Sequence, residues 1–187
     1  MASDRTILVL GDSLSAAYGL SADQGWVALL QKRLHERGYG YEVVNASVSG
    51  ETTSGGLQRL PRALELHKPG IVILELGAND GLRGLPLATA SGNLRRMVGL
   101  ARQANARVLL VGMKIPPNYG PRYTEEFAQM FSDIARSSDL PLVPFLLQSV
   151  ALDPSRMQAD GLHPNARGEP AVLDTLWAQL EPLLKKH

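Results

Sequence analysis

Ser13, Asp160 and His163 are the residue types that, brought together, split an ester. The chemistry needs a nucleophile, a base to take its proton, an orienter for the base, and donors for the oxyanion that develops. Ser13 lies in Gly11-Asp12-Ser13-Leu14, immediately after the apolar run 7–10, where a strand would hand over to a helix. His163 has a side chain whose ordinary pKa of about 6.5 suits proton shuttling near neutrality. Asp160 stands three residues earlier, and a turn of that length can return its carboxylate to the imidazole Nδ1. Pro164 restricts His163 to extended backbone, which helps hold the ring. The oxyanion donors expected are the backbone N–H of Ser13, the backbone N–H of Gly50 and the side-chain amide of Asn79. Gly50 permits close approach because it lacks a Cβ.

Each of these residues has a blander reading when taken alone. Ser13 is then a turn serine, Gly50 a tight-turn glycine, and Asn79-Asp80 a turn pair whose Asp80 is structural. Asp12 neighbours the nucleophile, but adjacent residues in a turn point apart, so it is read as holding the loop. His35 lies in a charged helix, His67 near a helix C-terminus where a cation is favoured, and His187 is terminal. His163 is left as the histidine beside a suitable acid.

The elements that must position these groups alternate along the chain. Strand-like runs occur at 7–10, 41–46, 71–76 and 107–113, with a short candidate at 142–144. Helical spacing runs from 26 to 37, from a cap at Ser54 to the Pro69-Gly70 stop, over about 90–103, over 123–137, and from Pro170 onward. The stripe Leu173, Leu176, Trp177, Leu180 is read as helix core. Parallel strands need crossovers, and helical crossovers are right-handed, so the expected fold is α/β, a three-layer α/β/α sandwich in one domain. Such sheets bind ligands at the carboxyl ends of their strands. Small and polar residues collect after each predicted strand, which is where the candidate residues fall.

Composition narrows the alternatives. In 187 residues, 44% hydrophobic and 20% charged, the net charge is +1, too small a field to gather nucleic acid. There is no cysteine, hence no disulfide or thiolate nucleophile, and no metal or cofactor is expected. No run approaches the roughly 20 apolar residues of a membrane span. A basic, then apolar N-terminal leader is not seen. Dinucleotide and phosphate-loop glycine motifs are missing, as is the Gly-x-Ser-x-Gly elbow of α/β-hydrolases.

Four blocks in order, Gly11-Asp12-Ser13-Leu14, Gly50, Gly77-x-Asn79-Asp80 and Asp160-x-x-His163, resemble the SGNH (GDSL-type) hydrolase superfamily. Segments 44–52, 79–84, 117–123 and 157–164 are similar to its bacterial multifunctional acyl-CoA thioesterase I, lysophospholipase and arylesterase group. Ala78 departs from the group, which commonly has a second glycine there. The resemblance implies a flavodoxin-like five-stranded parallel sheet and a metal-free serine mechanism. It also implies single-chain acyl esters or thioesters as substrates, and periplasmic residence after loss of a leader; a native N-terminus would instead mean the cytoplasm. A monomer is expected. Loop position and apolar character name Leu82, Ile115, Pro116 and Tyr119 as walls of the acyl groove. Two rival readings are a carbohydrate O-deacetylase, disfavoured by 5% aromatic content, and a non-catalytic flavodoxin-like binding domain.

Overall fold

The structure, a computed structural model, describes residues 5–186. Strand β1 (Thr6–Gly11) is buried at every position, and β3 (Ile71–Glu75) likewise. Near-continuous apolar sequence is what a strand covered on both faces requires. With β2 (Glu42–Asn45), β4 (Arg107–Val111) and β5 (Leu142–Val143) they form a five-stranded sheet in the order β2-β1-β3-β4-β5, all pairs parallel.

Among the described residues the α-helices are α1 (Trp26–Glu36), α2 (Thr53–His67), α3 (Ala78–Leu82), α4 (Leu87–Gln103) and α5 (Pro121–Ser138), which lie between strands, and α6 (Glu169–Leu180), which follows β5. Helices α1 and α6 pack together on one face, and α2, α4 and α5 pack side by side on the other. The fold is thus α/β with helices on both sides, as expected. The stripe Leu173, Leu176, Trp177, Leu180 is buried core.

Strand order reverses between β1 and β3. That switch point is where open parallel sheets leave a crevice at their carboxyl edge. Gly11-Asp12-Ser13 leaves the sheet from β1 and Gly77-Ala78-Asn79 from β3, so the nucleophile candidate and one oxyanion candidate flank the crevice.

Local differences from the expectations have identifiable causes. Helix α2 starts one residue before Ser54, because Thr52 is the N-cap and its Oγ1 accepts from the Gly55 N–H at 3.4 Å. Helices α4 and α5 begin a few residues early, at Leu87 after Pro86 and at Pro121, since proline's fixed φ suits a first turn. The segment after β3 is not plain loop. Gly77 turns with φ 119° straight into α3, so Asn79 sits on a helical turn.

Candidate active site

Ser13 Oγ lies 2.8 Å from His163 Nε2, and His163 Nδ1 lies 2.6 Å from Asp160 Oδ2. Residues 150 apart in sequence are therefore in one hydrogen-bonded line. Asp160 is fixed by its own loop: Oδ1 accepts the backbone N–H of Leu162 at 2.9 Å and of His163 at 3.1 Å. Burial pushes the Asp160 carboxyl up, but the hydrogen bonds from the His163 ring and those backbone N–H groups outweigh it, leaving the group below its ordinary range. An ionised carboxylate at Nδ1 holds the proton there and leaves Nε2 to accept from the serine.

The loop carrying Asp160 and His163 is closed upon itself and tied to the Ser13 loop. Met157 and Pro164 form an isolated antiparallel bridge, and Gln158 N–H donates to the His163 carbonyl at 2.7 Å. The Gln158 side-chain amide donates to the Pro164 carbonyl at 2.9 Å and to the Tyr18 carbonyl at 2.8 Å. Tyr18 in turn lays its ring against the imidazole, centroids 4.6 Å apart. Sequence reasoning passed over both residues; nothing in their types or spacing marks a staple that only the fold brings together.

The oxyanion candidates converge on the same turn. Asn79 Nδ2 donates to the Glu51 carbonyl at 2.9 Å, and its second hydrogen finds only a long contact, 3.4 Å, to Asp12 Oδ2. Gly50 has φ 80°, a left-handed conformation that favours glycine, and its carbonyl accepts from Arg83 Nη2 at 3.0 Å. Among the described residues, no acceptor takes the N–H of Ser13 or of Gly50. The carboxylate neighbours of these groups have other work. Asp80 is buried and accepts from Thr53 N–H at 2.9 Å and Thr53 Oγ1 at 2.7 Å, fastening the start of α2.

Beneath the Ser13 turn lies a pair of buried carboxyls, Asp12 and Glu75, each 1% exposed. Asp12 Oδ1 accepts from Leu14 N–H at 3.0 Å, which makes it the loop holder expected. Glu75 Oε1 accepts from Ser15 Oγ at 2.6 Å, and the two carboxyls hydrogen bond to each other. Burial raises Asp12 to about 6, against the lowering from Leu14 N–H, Glu75 and His163. Burial and the Asp12 charge raise Glu75 well above its ordinary range. The proton stays on Glu75, which donates it to Asp12. Gly11 lets them meet, since a Cβ there would stand 2.8 Å from Glu75 Oε1. The signal was in the sequence: a lone carboxylate closing an otherwise apolar buried strand.

A cleft of about 550 Å³ opens from Ser13 and His163. Leu82, Ile115 and Pro116 form one wall, as expected from loop position. Tyr119 does not line it. Its hydroxyl donates to the Leu82 carbonyl at 2.7 Å and its ring stacks on Tyr123, so it braces that wall from behind. The opposite wall was not foreseen: Phe145, Leu147, Ala151, Leu152 and Leu162 come from the long segment between β5 and α6. Away from Ser13 and His163 most of the lining is apolar, which suits an acyl chain.

The comparisons agree with this geometry. Residues 9–170 match the model of the GDSL-like lipase/acylhydrolase family. Esterase TesA of Pseudomonas aeruginosa is 52% identical over 98% of this chain and 91% of that protein. Thioesterase 1/protease 1/lysophospholipase L1 of Escherichia coli K12 is 44% identical over 96% of this chain and 85% of that protein. A crystal structure of TesA superposes with a TM-score of 0.94 over 96% of this chain and all of that one, at 52% identity. The chain belongs to the GDSL-like lipase/acylhydrolase family and is a hydrolase.

Proposed function

We propose that this member of the GDSL-like lipase/acylhydrolase family hydrolyses single-chain acyl esters and thioesters through an acyl-enzyme on Ser13. The observation that carries the reading is the unbroken line from Ser13 Oγ to His163 to Asp160 at the head of an apolar cleft. Ser13 Oγ attacks the acyl carbonyl carbon as its proton passes to His163 Nε2. The carbonyl oxygen becomes an oxyanion facing the Ser13 and Gly50 N–H groups and the weakly held second amide hydrogen of Asn79. Collapse breaks the bond to the leaving group, and His163 gives its proton to the departing alkoxide or thiolate. Water then attacks the acyl-serine while His163 takes its proton, and the second collapse returns that proton to Ser13 Oγ and frees the acid.

Relatives named for esterase, thioesterase, lysophospholipase and arylesterase action support this substrate range. Leu82, Ile115 and Pro116 are assigned to the acyl chain. No helix among the described residues is long and apolar enough to cross a membrane. The proposal is of a monomeric, single-domain enzyme of the periplasm, checked by light scattering and cell fractionation. The test of the chemistry is intact-mass analysis after a fluorophosphonate probe, with peptide mapping. One adduct on Ser13, absent from Ser13→Ala, is expected; attachment elsewhere refutes the assignment. Faster turnover of acetylated xylan than of palmitoyl-CoA would favour a sugar deacetylase instead.

A further inference from the structure

Six large apolar side chains are exposed among the described residues: Tyr18, Val48, Leu66, Leu85, Leu152 and Leu162. Exposed apolar residues scattered singly need no explanation, but their clustering does. Five of the six are not scattered, since they sit on connections that leave the carboxyl edge of the sheet. Tyr18 follows β1, Val48 follows β2, Leu85 follows β3 and α3, and Leu152 and Leu162 both lie between β5 and α6. Only Leu66, in the last turn of α2, belongs to the opposite edge. Leu152 is 98% exposed, an extreme value for a leucine, and it also lines the cleft, as does Leu162.

Charge on the same loops is nearly balanced and largely occupied. Asp12 and Asp80 are buried, Glu51 is paired with Arg59, Asp153 with Arg156, and Asp160 with His163. The other charged residues on these loops are Asp23, Arg83, Lys114 and Arg167, and Arg83 is held on the Gly50 carbonyl. Lys114, at the cleft, holds its ammonium over the Phe145 ring, 5.5 Å from the centroid. Such a face is apolar at its centre without a strong field of either sign.

From these observations we infer that the cleft mouth is a docking face for a zwitterionic phospholipid surface, on which the enzyme sits while an acyl chain passes from the lipid layer into the cleft. The inference rests on the acyl-hydrolase reading above and names where that substrate is met. Single-chain lipids of useful length gather in membranes and micelles for the same free energy per methylene that would fill the cleft. A chain leaving such an assembly through water exposes all of that surface. A chain leaving it past Leu152 and Leu162 exposes little, because those two side chains belong both to the rim and to the cleft wall.

The test uses the whole protein and vesicles of diether phosphatidylcholine, which offers no ester to cleave, with flotation as the readout. Wild type is expected to float with the vesicles, with little change on raising salt. Leu152→Ser should weaken the partition by about tenfold, the loss of one inserted leucine. Val48→Ser with Leu85→Ser, at rim positions outside the cleft lining, should weaken it similarly while turnover of a water-soluble short ester is unchanged. Leu66→Ser should float like wild type. No flotation of wild type, equal loss in Leu66→Ser, or a rim-dependent dimer that does not bind vesicles overturns the proposal. If Ser13 is not labelled and soluble esters are not cleaved, the hydrolase reading itself has failed. Labelling and turnover without vesicle binding would refute the docking face alone.

Discussion

Replacing Asn79 by alanine removes one donor from the proposed oxyanion site and little else. Of its two amide hydrogens, one is held by the Glu51 carbonyl at 2.9 Å, and the other has only the 3.4 Å contact to Asp12. That second hydrogen is therefore available when charge develops on the substrate oxygen. Loss of one such donor in a water-poor site costs about 3–4 kcal/mol of transition-state stabilisation, which at 1.36 kcal/mol per decade lowers kcat by roughly two to three orders of magnitude. The ground state loses no comparable bond, so KM should stay within about threefold. The Glu51 carbonyl loses a partner, which costs about 1 kcal/mol of stability and a few degrees of Tm. Steady-state kinetics on p-nitrophenyl butyrate, with a thermal melt of the same sample, separate these effects. Asn79→Asp, which places a second carboxylate beside Asp12, should be worse than alanine. A kcat loss under tenfold, or a loss carried by KM, would show that Asn79 does not face the oxyanion.

Ile115→Ala opens the wall of the cleft and should move the preferred acyl length of p-nitrophenyl esters; an unchanged profile removes Ile115 from the wall. Glu75→Gln keeps a donor toward Asp12 and an acceptor for Ser15, so it should retain most kcat/KM and its pH profile, whereas Glu75→Leu should lose both. Equal damage from the two variants would contradict a proton held on Glu75. Asp80→Ala leaves the fully buried Thr53 N–H and hydroxyl proton without an acceptor, though Asn93 still donates to that oxygen, costing about 2–5 kcal/mol in urea unfolding without a matching fall in kcat of the folded fraction. Glu169, which accepts from Trp26 N–H at 2.8 Å, is raised by burial from 4.5 to about 7. Its contribution is whole below the unfolded value and is lost as pH rises through about 7, so Glu169→Gln should gain on wild type by up to about 3 kcal/mol between pH 5 and pH 9.

The fold was legible because its determinants are local. Strands covered on both faces read as unbroken apolar runs, and helices announced themselves by spacing and by Gly or Pro at their ends. Ser13, His163 and Asp160 were legible for a related reason: a turn after a strand and a three-residue return are short-range features. What escaped was contact between distant loops. Gln158 looks like any polar loop residue until it is seen holding Tyr18 and Pro164 together. The second cleft wall escaped because the segment between β5 and α6 has almost no regular structure, so periodicity could not say which leucines face inward. Tyr119 was misplaced because an aromatic ring in a loop near a site is as good a brace as a wall, and only its bond to the Leu82 carbonyl decides.

A buried carboxylate beside an oxyanion site looks self-defeating, since negative charge opposes the negative charge being formed. The geometry around Asp12 reduces that conflict. Its charge is shared among the Leu14 N–H, the proton of Glu75 and, more weakly, the Asn79 amide. In the proposed mechanism what remains acts on His163 in the favourable sense, because the imidazolium would be attracted to Asp12 as well as to Asp160. Asp160 makes the directed bond to Nδ1, and Asp12 supplies field without contact. Burial keeps two adjacent carboxyls from both ionising, and Glu75 beneath is the one that keeps its proton. One proton in the core thus lets the turn that carries the nucleophile keep an anion at its base.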